Sequence, residues 1–257
     1  MTAGEIYSAL VSERKVSVMT GLPYATHDRC QLDIYGPAIA TPKGPIVLFI
    51  YGGGWVSGDR ASYRFVGSAF ATNGITTVIP DYRLYPELAF PGFVEDVATA
   101  YRWTADRFAK SGRPIIVAGH SAGAHIAALL ALDPSYLKGL HPAGLIGLAG
   151  PYAFDPTTWP STKDIFAKAA AMPDQARPIA FASPNAPPAL LMHGSADGTV
   201  KPSNSIQLAE RLSALSRPAS LKIFDGIGHM GLILSLSRPF RWRAPTLRSI
   251  VDFVGKL

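Results

Sequence analysis

Ser121 stands between two glycines in Gly119-His120-Ser121-Ala122-Gly123, directly after the apolar run Ile115-Ile116-Val117-Ala118 and before the small-residue stretch Ala124 to Leu132. A strand–turn–helix of this kind sets a serine on a sharp, strained bend with its hydroxyl exposed at the edge of a sheet. Glycine suits positions 119 and 123 because a side chain there would strike the neighbouring strand or helix. The first N–H groups of the following helix face any negative charge that develops at the serine. The chemistry implied is nucleophilic attack on an acyl carbon. An ordinary tight turn gives the same five-residue pattern, but not the strand before it and the helix after it.

A serine hydroxyl is a poor nucleophile until a base takes its proton and a third group orients that base. On this architecture the acid and the histidine follow the serine, in that order, each on a loop after a later strand. Of the six histidines, His27 comes too early, His120 and His125 flank the serine or ride its helix, and His141 lies in a connection. His193 ends a strand, where a hydrogen-bonding role is expected. His229, in Gly226-Ile227-Gly228-His229-Met230-Gly231, lies in a glycine-rich loop able to reach back and is the preferred base. The acid candidates are Asp197, Asp225 and, less favourably, Asp155. Asp197 follows the strand Ala189–His193 on a tight turn aimed at the same edge and is preferred, whereas Asp225 can hydrogen-bond within the histidine loop. An oxyanion needs backbone donors near the nucleophile. The triplet in Tyr51-Gly52-Gly53-Gly54-Trp55, after the strand Ile46–Ile50, brings bare backbone to such a place, making Gly53, Gly54 and Ala122 the expected donors.

The elements that must position these groups alternate between strand-like and helical patterns, which implies a mostly parallel sheet covered by helices. Strands are expected at Val16–Leu22 and Cys30–Tyr35 as a hairpin, then at Ile46–Tyr51, Thr76–Pro80, from Ile115, and at Leu145–Leu148, Ala189–His193 and Leu221–Phe224. Helices are expected near Ser62–Thr72, Phe93–Ala109, Ala124–Leu132, Ser203–Leu215 and Pro245–Val254. Between Gly150 and Pro188 the pattern breaks into a Pro- and aromatic-rich stretch, too long for an ordinary connection. Residues 151–187 are read as a small helical insertion after the sixth strand, a lid over the site, within a single domain spanning 1–257. Trp55, Tyr85, Phe154, Trp159 and Met230 are the candidates for an apolar substrate pocket.

With 257 residues, 48% hydrophobic and 16% charged, the chain is built for one well-buried core. No apolar run reaches the roughly 20 residues that span a bilayer. Met1 to Lys15 has no apolar segment of the secretory kind, so a cytoplasmic setting is expected. The single cysteine, Cys30, lies in an apparent strand and is read as buried and structural. The net charge of +6 is densest at Arg238-Pro239-Phe240-Arg241-Trp242-Arg243, which is short and solitary and is read as a solvated loop rather than a nucleic-acid site. No His, Cys and carboxylate cluster has metal-ligand spacing, and no phosphate loop or dinucleotide fingerprint occurs, so no metal and no cofactor is expected.

Taken in order, Tyr51-Gly52-Gly53-Gly54-Trp55 with Gly58, Asp81-Tyr82-Arg83-Leu84-Tyr85-Pro86-Glu87, Phe90-Pro91, the serine motif, His193-Gly194-Ser195-Ala196-Asp197 and Gly228-His229 resemble the α/β-hydrolase superfamily. More narrowly they look like the hormone-sensitive-lipase-like and BD-FAE-like esterases, from about Leu32 to the C-terminus. The resemblance implies the α/β-hydrolase fold, a Ser121–His229–Asp197 triad and hydrolysis of short-chain acyl esters through an acyl-enzyme. The expected partner is a small-molecule ester, with no nucleic acid and no membrane span, and a homodimer is compatible with the reading. Tyr51 departs from the pattern, since those families usually carry histidine there. Arg83 is expected to pair with Asp81, Glu87 or Asp96 and to matter more for stability than for chemistry. An arylformamidase-like amide hydrolase shares the glycine loop and triad and is the nearest alternative. A non-catalytic hydrolase-fold binding protein is the alternative from another class. A peptidase is less favoured, because no propeller is seen beside the fold.

Overall fold

The computed structural model describes residues 16–39, 44–217 and 219–257, so the reading of Met1 to Lys15 lies outside the described residues. A single sheet of eight strands runs through the described residues: β1 (Val16–Pro23), β2 (Gln31–Pro37), β3 (Ile46–Ile50), β4 (Thr76–Pro80), β5 (Ile115–His120), β6 (Gly144–Leu148), β7 (Ala189–Gly194) and β8 (Ala219–Phe224). Their spatial order is β1-β2-β4-β3-β5-β6-β7-β8. β1 pairs antiparallel with β2, and β2 antiparallel with β4, while β4, β3, β5, β6, β7 and β8 are joined by parallel pairings.

Every residue of β3, β4, β6 and β7 is buried. Because successive side chains leave a strand on opposite faces, a fully buried strand must be covered on both sides. The cover comes from α1 (Arg64–Ala71), α2 (Gly92–Phe108), α3 (Ala122–Leu132), α4 (Ser203–Ala214), α5 (His229–Leu234) and α6 (Thr246–Val254). In α3 every residue except Ala131 is buried, which explains its lack of a polar face. Cys30 is buried, as its strand-like surroundings suggested.

Two expectations need correction. The glycine-rich stretch around His229 is not all loop: α5 begins at His229 itself, and its Leu232 and Ile233 are buried. Residues 151–187 follow β6 as expected, but contain no α-helix, only 3-10 turns at Ala167–Ala169, Pro173–Ala176 and Pro178–Phe181. Proline can open a helical turn but cannot continue an α-helix without losing a hydrogen bond, and this stretch is too rich in proline for more.

Arg83 pairs with Asp96, not with Asp81 or Glu87. Its Nε lies 2.9 Å from Oδ2 and its Nη2 2.7 Å from Oδ1, and its backbone N–H donates to the same carboxylate at 3.0 Å. Asp81 is held instead by Arg60, and Glu87 meets His27 at 2.5 Å. Asp96 is buried on α2, so removing its partner strands a carboxylate. Arg83→Ala is therefore expected to lower unfolding stability by about 2 kcal/mol, read by urea denaturation, with turnover of the folded variant preserved. A variant as stable as the parent but without turnover would contradict this assignment.

Candidate active site

The parallel strands bring their carboxyl ends to one edge, where open α/β sheets form their sites. Ile50 of β3 is in register with Gly119 of β5, so the glycine loop and the serine turn leave the sheet side by side. Ser121 adopts φ 55° and ψ −123°. This left-handed backbone costs a non-glycine residue on the order of 1–3 kcal/mol and persists only when its surroundings enforce it. Three bonds do so: Ser121 N–H donates to Leu148 O at 2.9 Å, and Ser121 O accepts from Ala124 N at 2.9 Å and His125 N at 3.1 Å. The turn can close only over bare backbone. A Cβ at Gly123 would stand 2.1 Å from Ile50 O, and one at Gly119 2.3 Å from Gly123 O.

His229 and Asp197 meet as the sequence suggested. Nδ1 of His229 lies 2.7 Å from Oδ2 of Asp197. The other oxygen, Oδ1, accepts from the N–H groups of Thr199 and Val200, each at 2.9 Å. With its side chain fully buried and both oxygens engaged, Asp197 has one orientation and presents it to the imidazole. Asp225 is committed elsewhere, accepting from Ser195 Oγ at 2.9 Å. His193 is the expected strand-end residue: Nδ1 lies 2.7 Å from Ser205 Oγ and Nε2 2.9 Å from Val200 O, with Asp197 Oδ2 at 3.2 Å. Burial, above all, lowers its pKa and favours the neutral ring. The Ser121 hydroxyl has no hydrogen-bond partner among the described residues, His229 included. Its neighbour His120, however, lies against the His229 ring with centroids 4.8 Å apart. Catalytic hydrogen bonds are often open in unliganded enzymes and tighten only around substrate.

The glycine loop is backed directly onto the serine: a Cβ built at Gly52 would meet Ser121 Cβ at 3.0 Å. Gly53 (φ 135°) and Gly54 (φ 61°) form the turn. Gly53 O accepts from Val56 N at 3.2 Å and from Ser57 N at 3.0 Å. The N–H groups of Gly53 and Gly54 have no partner among the described residues. Ala122 opens α3, where helical N–H groups have no intrahelical acceptor. Gly54, Ser121 and Ala122 line one cavity of about 480 Å³ together with Trp55, Phe154 and Trp159. Gly53 is not on its wall, and neither are Tyr85 and Met230. Tyr85 is instead drawn to the loop by its backbone, donating to Trp55 O at 2.9 Å. Met230 is 54% exposed.

Three further residues, Tyr51, Arg29 and Tyr63, position the loop and the serine turn. Tyr51, in the place of the usual histidine, stacks on Tyr82 with ring centroids 4.8 Å apart and on Tyr63 at 5.8 Å. Burial pushes its phenol well above the ordinary range, so it stays neutral. Arg29 donates to the Tyr51 hydroxyl at 3.1 Å, to Tyr82 O at 2.7 Å and to Gly58 O, fastening both ends of the glycine loop. Tyr63 connects loop to nucleophile: its hydroxyl accepts from Gly52 N–H at 3.2 Å and lies 3.3 Å from His120 Nδ1. His120 Nε2 in turn lies 3.4 Å from His229 O. The chain is self-consistent if Tyr63 donates to Nδ1 and Nε2–H donates to His229 O. That needs a neutral ring, and burial, with His229 nearby, pushes the His120 pKa down to about 3. The substitution at Tyr51 was visible in the sequence; Arg29 and Tyr63 were not, because nothing local marks a contact across 22 or 57 residues.

Among the described residues no cluster of His, Cys, Asp and Glu could hold a metal ion, and no helix is long and apolar enough to cross a membrane. The segment Arg238–Phe240 forms a 3-10 turn, and Trp242 beyond it is 82% exposed.

The chain is similar to known proteins in sequence and in fold. The esterase LipC of Mycobacterium tuberculosis is 31% identical over 244 residues, covering 84% of this chain and 59% of LipC. The chain thus spans less than two thirds of that relative. Among solved structures, a thermophilic esterase, Est2, from Thermogutta terrifontis in a propionate-bound form superposes with a TM-score of 0.77 at 22% identity, covering 95% of each chain. Esterase B from Lactobacillus rhamnosis, inhibited by a tributyrin phosphonate, gives a TM-score of 0.81 at 19% identity, covering 98% of this chain and 91% of that one. These two likenesses establish the fold. A family model described as BD-FAE matches residues 32–138, from β2 through the serine turn and α3. A second, described as the prolyl oligopeptidase family, matches residues 92–255, more than half of the chain and the whole stretch that carries Ser121, Asp197 and His229. The chain belongs to the prolyl oligopeptidase family within the α/β-hydrolase superfamily, with a BD-FAE-like first half.

Proposed function

We propose that this chain is a serine hydrolase of carboxylic esters that works through an acyl-enzyme, with Ser121 as nucleophile, His229 as base and Asp197 as its orienting acid. The observation that carries the reading is the 2.7 Å contact of Asp197 with His229 Nδ1, set at the same sheet edge as the strained Ser121. Held at Nδ1, the imidazole keeps Nε2 free to accept the Ser121 proton as its oxygen attacks the ester carbonyl. On this reading the Ser121 hydroxyl closes on the ring when substrate is bound. The oxyanion of the tetrahedral intermediate rests on the N–H groups of Gly54 and Ala122, with Gly53 as the third donor. His229 then gives the proton to the leaving alcohol, and a water activated by the same ring releases the acid.

The substrate is a small ester. A cavity of about 480 Å³ with Trp55, Phe154 and Trp159 on its wall suits a short acyl group and a compact alcohol. Part of the 151–187 insertion supplies that wall, through Pro151, Phe154, Trp159, Ser161 and Thr162, and so acts as the cover of the site within one catalytic domain. Kinship with an esterase favours esters over amides, while the prolyl oligopeptidase match keeps amide cleavage the outcome to be excluded. Two measurements test the proposal. A fluorophosphonate probe should leave a single adduct, located by peptide mass spectrometry at Ser121. Initial rates should be far higher on p-nitrophenyl acetate than on N-formylkynurenine or a proline anilide. An unlabelled Ser121, or faster cleavage of either amide, would overturn it.

A further inference from the structure

The cavity beside Ser121 has two unlike walls. One is aromatic, formed by Trp55, Phe154 and Trp159. The other is the loop between Asp197 and α4 together with the first residue of that helix, and it presents Thr199, Lys201 and Ser203. Among the described residues Lys201 is the one charged residue on the lining, which includes no Asp or Glu. Its ammonium has no ion-pair partner among the described residues. Asp197, near it in sequence, has a fully buried side chain with both oxygens engaged, by His229 and by the N–H groups of Thr199 and Val200.

The Lys201 backbone is fixed although its side chain is exposed. Lys201 O accepts from Asn204 N at 3.0 Å and from Asn204 Nδ2 at 3.2 Å. The side-chain oxygen of the same Asn204 accepts from Ala153 N at 2.9 Å and Phe154 N at 3.2 Å. One buried asparagine therefore joins the cationic wall to the aromatic wall and sets the distance between them. An unpaired cation in a cleft with low-dielectric walls attracts anions more strongly than it would on an open surface, because field lines are focused there.

We propose that Lys201 is a specificity residue and that the cavity selects esters carrying a carboxylate remote from the reacting carbonyl, their apolar stem lying on the aromatic wall. The inference rests on the ester-hydrolase reading above. It is tested with matched pairs that differ only in one charge: mono-p-nitrophenyl adipate against its methyl ester, and 3-(4-acetoxyphenyl)propanoate against its methyl ester. The first pair places the carboxylate on the acyl side and the second on the alcohol side. After subtraction of spontaneous hydrolysis, the parent protein should favour the charged member of at least one pair by about tenfold in kcat/KM. Raising the salt concentration should shrink that preference. Lys201→Met should bring the ratio close to one, and Lys201→Glu should invert it. Equal turnover of both members of both pairs, or a preference that survives in Lys201→Met, overturns the subsite and leaves the ester-hydrolase reading standing. Turnover of neither member of either pair overturns both.

Discussion

Asp197→Asn is expected to lower kcat on p-nitrophenyl acetate about ten-thousand-fold, as in serine triads whose acid loses its charge but keeps its shape, whereas Asp225→Asn should stay within a few-fold of the parent. The hydrogen bonds around Asp197 give the mechanism of the loss. Its Oδ1 is held by two backbone donors, Thr199 N–H and Val200 N–H, each at 2.9 Å. An asparagine will keep its oxygen there, because turning the amide round would set two N–H donors against two others. The amide nitrogen then occupies the place of Oδ2 and donates to His229 Nδ1. The imidazole responds by carrying its proton on Nε2, and the ring that should accept the Ser121 proton can no longer do so. Asp225 makes no such contact with His229; its bond is to Ser195 Oγ, just past the adjacent strand β7. Circular dichroism and thermal melts of both variants would verify that they fold. A comparable loss in Asp225→Asn, or an Asp197→Asn enzyme within tenfold of the parent, would show that the wrong acid has been named.

Much of the fold and of the chemistry could be read from local patterns, because the features concerned are local. The serine turn needs glycine at 119 and 123 for close approach, and both the strand before it and the helix after it leave their periodicities in neighbouring residues. The order of serine, acid and histidine follows from chain topology, so His229 and Asp197 could be picked by position. Side-chain direction was harder to foresee. Met230 adjoins His229, yet it lies one residue on in α5, about 100° round the helix axis, and is exposed instead of facing the cavity. Trp55, Phe154 and Trp159 reach the cavity wall, while Tyr85 contributes only its backbone to the loop. The start of α5 was hidden for another reason. Gly228 and Gly231 read as a flexible loop, but Gly228 sits extended at the helix N-cap while burial of Leu232 and Ile233 holds the short helix in place. The bridge through Tyr63 was beyond any local signal, since it exists only once β3 and β5 lie side by side.

That bridge makes the glycine loop the most sensitive part of the site after the triad. Gly52→Ala is expected to lower kcat on the order of a hundredfold with little change in KM, in line with the loss of an oxyanion donor. Gly52 does not have the left-handed backbone of its neighbours Gly53 and Gly54, so alanine is conformationally acceptable there. Space decides the outcome. The new methyl would stand 2.9 Å from His120 O, 3.0 Å from Ser121 Cβ and 3.1 Å from His120 Nδ1, with backbone on one side and the nucleophile on the other. The serine turn is locked by its bonds to Leu148 O, Ala124 N and His125 N, so the loop must give way. Displacement by a few tenths of an ångström weakens the Gly52 N–H bond to Tyr63, and with it the tie to His120. It also carries the turn at Gly53 and Gly54 along, because Gly53 O is bound to Val56 N and Ser57 N. Ground-state binding on the aromatic wall is left in place, while donors aimed at an oxyanion lose their alignment, so the loss falls on kcat. Affinity for a trifluoromethyl ketone, whose adduct carries the oxyanion, should fall in parallel. Parent-like kcat in a folded Gly52→Ala protein would show that this loop is not the oxyanion cradle, and a rise in KM at constant kcat would make it merely a wall of the pocket.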